Sequence, residues 1–246
     1  MSRTIDAVRI LLIVCLWGIS LPGRAQQPNA KEFFDSPLQI SLATAAANGQ
    51  TGALDETLAQ GANVNYEGRE GMTALYWALV HLSKAGVDWL LGHHANPNII
   101  FQRDGTCSTS FAAKLDDPWF LDEVLAHGGN VNIRNPQNGR TPLFEAIASG
   151  RKDNARRLIA AGAGMNTLDR LGETPLIMAA VSQKFDLVYD MLLAGADPTT
   201  KTSWNGATIL YVVRHSTVLP TAPEYQWKLK VVELLRQRGL DVENGR

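Results

Sequence analysis

His93 and His94 stand side by side, Asp116 and Asp117 precede Pro118, and Cys107 lies far along the chain from Cys15. Side chains of these types hold metals, share protons or attack substrates, but none has the spacing such work needs. Adjacent residues on a helix point about 100° apart, so His93 and His94 are poor partners for one ion. Two aspartates in a loop before a proline read as a solvated helix cap rather than as an acid and base pair. A serine hydrolase needs Gly-x-Ser-x-Gly or a convergent Ser, His and carboxylate set. A nucleotide site needs a Walker loop or Gly-x-Gly-x-x-Gly after a strand, and a zinc site needs Cys-x-x-Cys or His-Glu-x-x-His. The chain has none of these. It is therefore expected not to be an enzyme and to have no catalytic residue, cofactor or metal.

Charge narrows the partners. The 246 residues carry 23 Lys plus Arg against 24 Asp plus Glu, without the concentrated basic excess that nucleic acid or an anionic membrane selects. Arg3 and Arg9 precede an apolar run from Ile10 to Ile19, followed by Pro22 and Gly23-Arg24-Ala25. That order predicts a secretory signal peptide over residues 1–25, cleaved after Ala25. The run falls short of the roughly 20 residues that span a bilayer, so no integral membrane anchor is expected. Val14 before Cys15 does not suit lipidation, and no twin-arginine pair is present. Cleavage would leave 20 basic against 23 acidic residues, a charge of about −3, with Cys107 the sole thiol. An exported chain with one thiol forms no internal disulfide, and Cys107 is expected to fill a small core position.

The strongest signal is internal repetition. The pattern Gly-x-Thr-(Pro/Ala/Ile)-Leu starts at Gly71, Gly139, Gly172 and Gly206, with a degenerate copy at Gly105, giving spacings of 34, 34, 33 and 34. A second marker follows, as Gly162-Ala163 and Gly195-Ala196 with variants His94-Ala95 and Gly128-Gly129, and Gly61-Ala62 marks a first copy. Thr141 and Thr174 can cap a helix through their hydroxyls, while Pro142 and Pro175 fit the first helical position, where a missing N–H costs nothing. Leu75/Ala78, Leu143/Ala146 and Leu176/Ala179 then share one helix face. Leu90/Leu91, Val124/Leu125, Leu158/Ile159 and Met191/Leu192 form the stripe of a second helix, which a glycine such as Gly162 ends in a left-handed conformation. Asn63-Val64-Asn65 and Asn130-Val131-Asn132 begin a projecting turn.

This period and these motifs resemble the ankyrin repeat. The resemblance implies an all-α solenoid over residues 26–246, of six helix-turn-helix units joined by β-turn or hairpin loops, at about 36–68, 69–101, 102–136, 137–169, 170–203 and 204–246. The histidine that the family places after Leu is replaced here by Tyr76, Ser110, Phe144, Ile177 and Tyr211. Cys107-Ser108-Thr109 and Asp116-Asp117-Pro118 should make the third copy the least regular. The last copy has a ten-residue excess, expected as a 217–226 loop between its two helices and including Tyr225.

In this family the turn tips and the exposed side of the first helices form a concave protein-binding face. Carried onto this chain, that face comprises Glu67, Arg69, Glu70 and Met72, then Arg103, then Arg134, Gln137 and Arg140. Leu168, Arg170, Leu171 and Glu173 follow, then Lys201 and Trp204, with Tyr225 from the long loop. Its arginines suggest a partner with an acidic patch. Charge reversal at Arg134, Arg140 and Arg170 should then weaken binding without changing thermal stability. Tyr66, Trp77 and Phe101 are expected to pack, and Arg156-Arg157 on a second helix to be merely solvated. The expected protein is periplasmic and monomeric when free. By analogy with small exported repeat proteins it would be an immunity protein that occludes a toxic effector, such as a type VI secretion phospholipase. A periplasmic scaffold or chaperone-like factor for a stress enzyme, or a self-associating structural solenoid, would use the same architecture.

Overall fold

A computed structural model describes residues 29–203 and 205–242. The export address, Trp204 and residues 243–246 lie outside the described residues. The described residues are all-α apart from one short hairpin, and the chain divides into two compact units. One runs to Ala112 and includes Trp119–Asn130; the other combines Ala113–Pro118 with Val131 onwards.

The first unit holds α1 (Pro37–Asn48), α2 (Thr51–Ala59), α3 (Ala74–Val80), α4 (Lys84–Gly92), nearly all of α5 (Ser108–Ala113), and α6 (Trp119–Ala126). In the second lie α7 (Pro142–Ala148), α8 (Lys152–Ala160), α9 (Pro175–Val181), α10 (Phe185–Leu193), α11 (Ile209–His215) and α12 (Pro223–Gln237). Helix starts follow the expected chemistry at Thr73 and Thr174, whose hydroxyls accept from Tyr76 N and Ile177 N at 3.1 and 3.2 Å. Thr141 differs: its buried hydroxyl meets no partner, and α7 starts on Pro142 with the Thr141 carbonyl accepting from Glu145 N. Helix ends use a device that the repeat pattern did not reveal. His81, His93, His127 and His215 each donate from Nδ1 to the carbonyl four residues back, at 2.7–3.0 Å.

Every glycine with a left-handed φ occupies one of three repeat positions: after a first helix (Gly49, Gly150), after a second helix (Gly61, Gly128, Gly162, Gly195, Gly239), or in a turn tip (Gly71, Gly105, Gly139, Gly172, Gly206). Leu82 and Gln183 fill the first position in other copies, and His94 the second, all with φ of 54–64°. Gly86 is required for a different reason, since a Cβ there would stand 2.0 Å from the Ala46 carbonyl oxygen.

The core is the expected one, with Leu75, Ala78, Leu90, Leu143, Ala146, Leu158, Ala179, Met191 and Leu192 fully buried. Residues 29–35, ahead of the first copy, join it. A capped turn at Ala30–Glu32 leads to Phe33 and Phe34, which pack on Trp77, with Phe33 also against Phe101. The third copy is the irregular one. Its tip is a hairpin, β1 (Ile100–Phe101) with β2 (Thr106–Cys107), that runs straight into α5. Cys107 is buried there as a free thiol. Residues 113–118 attach to the fourth copy: Asn154 Nδ2 donates to the Ala113 and Leu115 carbonyls, and Arg151 donates to Lys114 O. Asp116 is exposed, as expected, and also pairs with Arg151.

Two further expectations change. The predicted 217–226 loop ends at Ala222, because Pro223 takes the first turn of a helix; Tyr225 is therefore helical and half-buried. Much of the ten-residue excess lengthens α12, which has 15 residues where α10 has 9. Arg156 is not merely solvated either, since it binds Asp190 at 2.8 Å and Asp186 at 3.3 Å, tying α8 to α10. Lys152 also meets Asp186, at 2.8 Å. Burial pushes the Asp186 carboxyl up, but the Lys152 hydrogen bond and charge, the Leu187 amide and Arg156 bring it below the usual 3.8.

A folded value below the unfolded one contributes stability above pH 4 or so, which is lost as pH falls through the folded value. Asp186→Asn should therefore cost on the order of 1 kcal/mol at neutral pH and flatten the acid limb of a urea-stability profile. Lys152→Met should add little in that background. At the exposed His94, replacement by Gly should raise unfolding free energy by about 1 kcal/mol, read as a higher melting temperature.

Candidate functional site

Four successive junctions between copies are registered by an asparagine. Asn65 Nδ2 donates to His94 O at 3.0 Å while its Oδ1 accepts from Asn96 N at 2.6 Å. Asn98 does the same with Gly128 O and Asn130 N, and in the second unit Asn132 does so with Gly162 O and Gly164 N. Asn166 accepts from Asp197 N. The turn tips hang from these junctions. In the second unit each tip closes as a backbone loop, Asn135 with Arg140, Asp169 with Glu173, and Thr202 with Ala207. The side chains of Asn135, Asp169 and Thr202 accept from amides inside their own tips. Neighbouring tips bond directly, Arg170 N to Asn138 O at 2.8 Å and Ser203 N to Gly172 O at 3.2 Å. The first unit repeats this, with Arg69 N to Phe33 O and Gln102 N to Glu70 O.

Most of the predicted arginines serve this tip-to-tip scaffold. Arg103 pairs with Glu70 through two hydrogen bonds and lies over the Phe33 and Phe101 rings. Arg134 donates to Leu168 O at 2.7 Å, and Arg170 to Pro136 O. Arg140 binds Asp169 at 3.1 Å, where the carboxylate is only 1% exposed. Glu67, Arg69, Gln137, Leu168, Leu171 and Lys201 are exposed at tips, and Glu173 is half-buried. Met72, predicted to be on the surface, is buried at 3% exposure because it immediately precedes the helix cap Thr73 and turns into the core. Trp204 lies outside the described residues.

The second unit carries an apolar groove that pattern reading missed. Ile177, Ala180 and Val181 from α9 face Tyr211 and Val212 from α11 across a volume of about 370 Å³, with Glu173, Gln183, Ser216 and Thr217 among its other lining residues. Val181 is 60% and Tyr211 52% exposed. Tyr211 holds the repeat position of Tyr76, Phe144 and Ile177, all buried. Tyr76 is covered by Phe101 and by Phe111 of the next copy; no further copy follows Tyr211 among the described residues. On the other side of Tyr211 a second hollow is lined by Lys201, Arg214 and His215. Among the described residues no three His, Cys, Asp or Glu side chains gather as a metal would need. No described helix is long and apolar enough to cross a membrane.

Comparison with known proteins agrees with this architecture. The family model for ankyrin repeats (3 copies) matches residues 109–202. Protein PhlB of Serratia liquefaciens is 34% identical over 175 residues, covering 71% of this chain and 76% of that protein. The nuclear factor NF-kappa-B p105 subunit of Gallus gallus is 26% identical over 68% of this chain but only 17% of its own length. The crystal structure of an ankyrin repeat domain from Acinetobacter baumannii AYE superposes with a TM-score of 0.69 at 25% identity, covering 81% of this chain and 98% of that one.

The arginine contacts revise the expected outcome of charge reversal. Arg140→Ala should lose about 1–3 kcal/mol by unpairing the buried Asp169. The triple reversal at Arg134, Arg140 and Arg170 should lower the melting temperature, measured by calorimetry, whatever it does to binding.

Proposed function

This chain belongs to the ankyrin-repeat family, and on that premise we propose that it is an exported, periplasmic protein that works by stoichiometric binding of another protein. Repeat arrays of this kind offer extended surfaces, and their chemistry lies in the side chains those surfaces present. The observation that carries the reading is the exposure of Val181, Leu171 and Tyr211 on first helices and tips, with Tyr211 beside the cations Lys201 and Arg214. Large apolar side chains left uncovered next to charge are interface anchors rather than core. The address rests on Arg3, Arg9, the apolar run Ile10 to Ile19 and Gly23-Arg24-Ala25.

Within that class the protein is an immunity-type inhibitor. Free, it is a monomer; in the complex it covers the cleft of a toxic hydrolase, a type VI secretion phospholipase by our choice, through an acidic patch beside that cleft. Inhibition is steric and needs no catalytic residue on this side of the interface. Co-expression in a bacterial periplasm followed by affinity capture should yield a 1:1 complex with such a hydrolase, whose lipid hydrolysis falls at least about tenfold on adding one equivalent of this protein. A captured enzyme that keeps full activity would instead be a client, and the inhibitory role would be wrong.

A further inference from the structure

We infer that the groove between α9 and α11 receives an extended segment of the partner that carries one large apolar side chain followed by carboxylates. This deepens the binding reading above and rests on it. The apolar half follows from the walls, since Ile177, Val181, Tyr211 and Val212 meet in a volume of about 370 Å³ where Val181 and Tyr211 are left largely uncovered by the described residues. Clefts of a few hundred Å³ suit one bulky side chain with its flanking backbone. The buried Ser216 hydroxyl lines the same groove without a hydrogen-bond partner among the described residues. An incoming peptide group would relieve that deficit.

Charge fixes the other half. Lys201 and Arg214 line the adjoining hollow of about 480 Å³, with Tyr211 and His215 shared between the two hollows. Neither cation pairs with a carboxylate among the described residues, in contrast with Arg103, Arg140 and Arg156, whose charges are already matched. The carboxylate on the apolar groove itself is Glu173. Negative charge is therefore favoured past Tyr211, and positive charge there is repelled. Tyr211 is the divider, with an apolar anchor on one side and acidic residues on the other.

The probe is a short fluorescein-labelled peptide with a central phenylalanine followed by a run of aspartates, titrated into the full chain by fluorescence anisotropy. Its twins have glycine for the phenylalanine or lysines for the aspartates. Saturable binding of the acidic peptide is expected, weakened about tenfold by Tyr211→Ala and by Lys201→Glu combined with Arg214→Glu, with the lysine twin failing to bind. Lys201→Glu lies on an exposed turn, so the test survives if Tyr211→Ala folds poorly. Equal binding of the twins, or indifference to every variant, overturns the proposal. So does binding that emerges only when residues 243–246 are removed, which would place the chain's own tail in the groove. A dimer in sedimentation that Tyr211→Ala dissolves would assign the groove to a second copy and overturn it as well. A hydrolase inhibited equally by wild type and groove variants sinks this inference and leaves the inhibitor reading standing. Peptide binding with no inhibited enzyme does the reverse.

Discussion

One short side chain at successive junctions holds neighbouring copies in register within each unit. At three junctions an asparagine donates to the carbonyl two residues beyond the end of the next copy's second helix and accepts the amide two residues further on, as Asn65, Asn98 and Asn132 do. Both groups lie just past a helix end, where backbone donors and acceptors otherwise lack partners. The amide therefore satisfies two orphan groups at once and fixes the offset between copies to within a hydrogen-bond length. Everything farther out inherits that offset. The tips can bond edge to edge, Arg170 N to Asn138 O for example, because their roots are already in register.

The scaffold also recruits charge. Arg103, Arg134, Arg140 and Arg170 stand where an interface reading would put them, yet each spends hydrogen bonds on a neighbouring tip. A guanidinium suits this task because its planar fork reaches several acceptors at once while the stem lies on apolar surface. Position in a family pattern therefore does not separate an arginine that holds its neighbour from one that is available to a partner. Partner inventory does, and by that measure Lys201 and Arg214 differ from the rest.

The repeat period, helix starts and buried stripes were legible in the sequence because they depend on local chemistry. Thr174 caps α9, Gly162 takes a left-handed turn, and Leu143 with Ala146 faces inward, all decided within a few residues. What escaped depended on neighbours distant in sequence. Tyr76 and Tyr211 look equivalent in the pattern, and their burial differs only because Phe101 and Phe111 cover the first. Met72 is the local exception: it looked like a tip residue, and its inward turn is set by the cap that follows it. The attachment of residues 113–118 to Asn154 likewise joins groups that no periodicity links.

Tyr211 is exposed because nothing among the described residues covers it as Phe101 and Phe111 cover Tyr76. The same ring in an interior copy would be core, as Tyr76 is. A further unit stacked against α11 would cover that ring and the hollow lined by Lys201 and Arg214 without altering a single residue that forms them. Trimming the last unit would expose a different surface built around Ile177. The number of repeats thus acts as a determinant of recognition in its own right, and a slip in replication that gains or loses one unit can exchange one specificity for another in a single event.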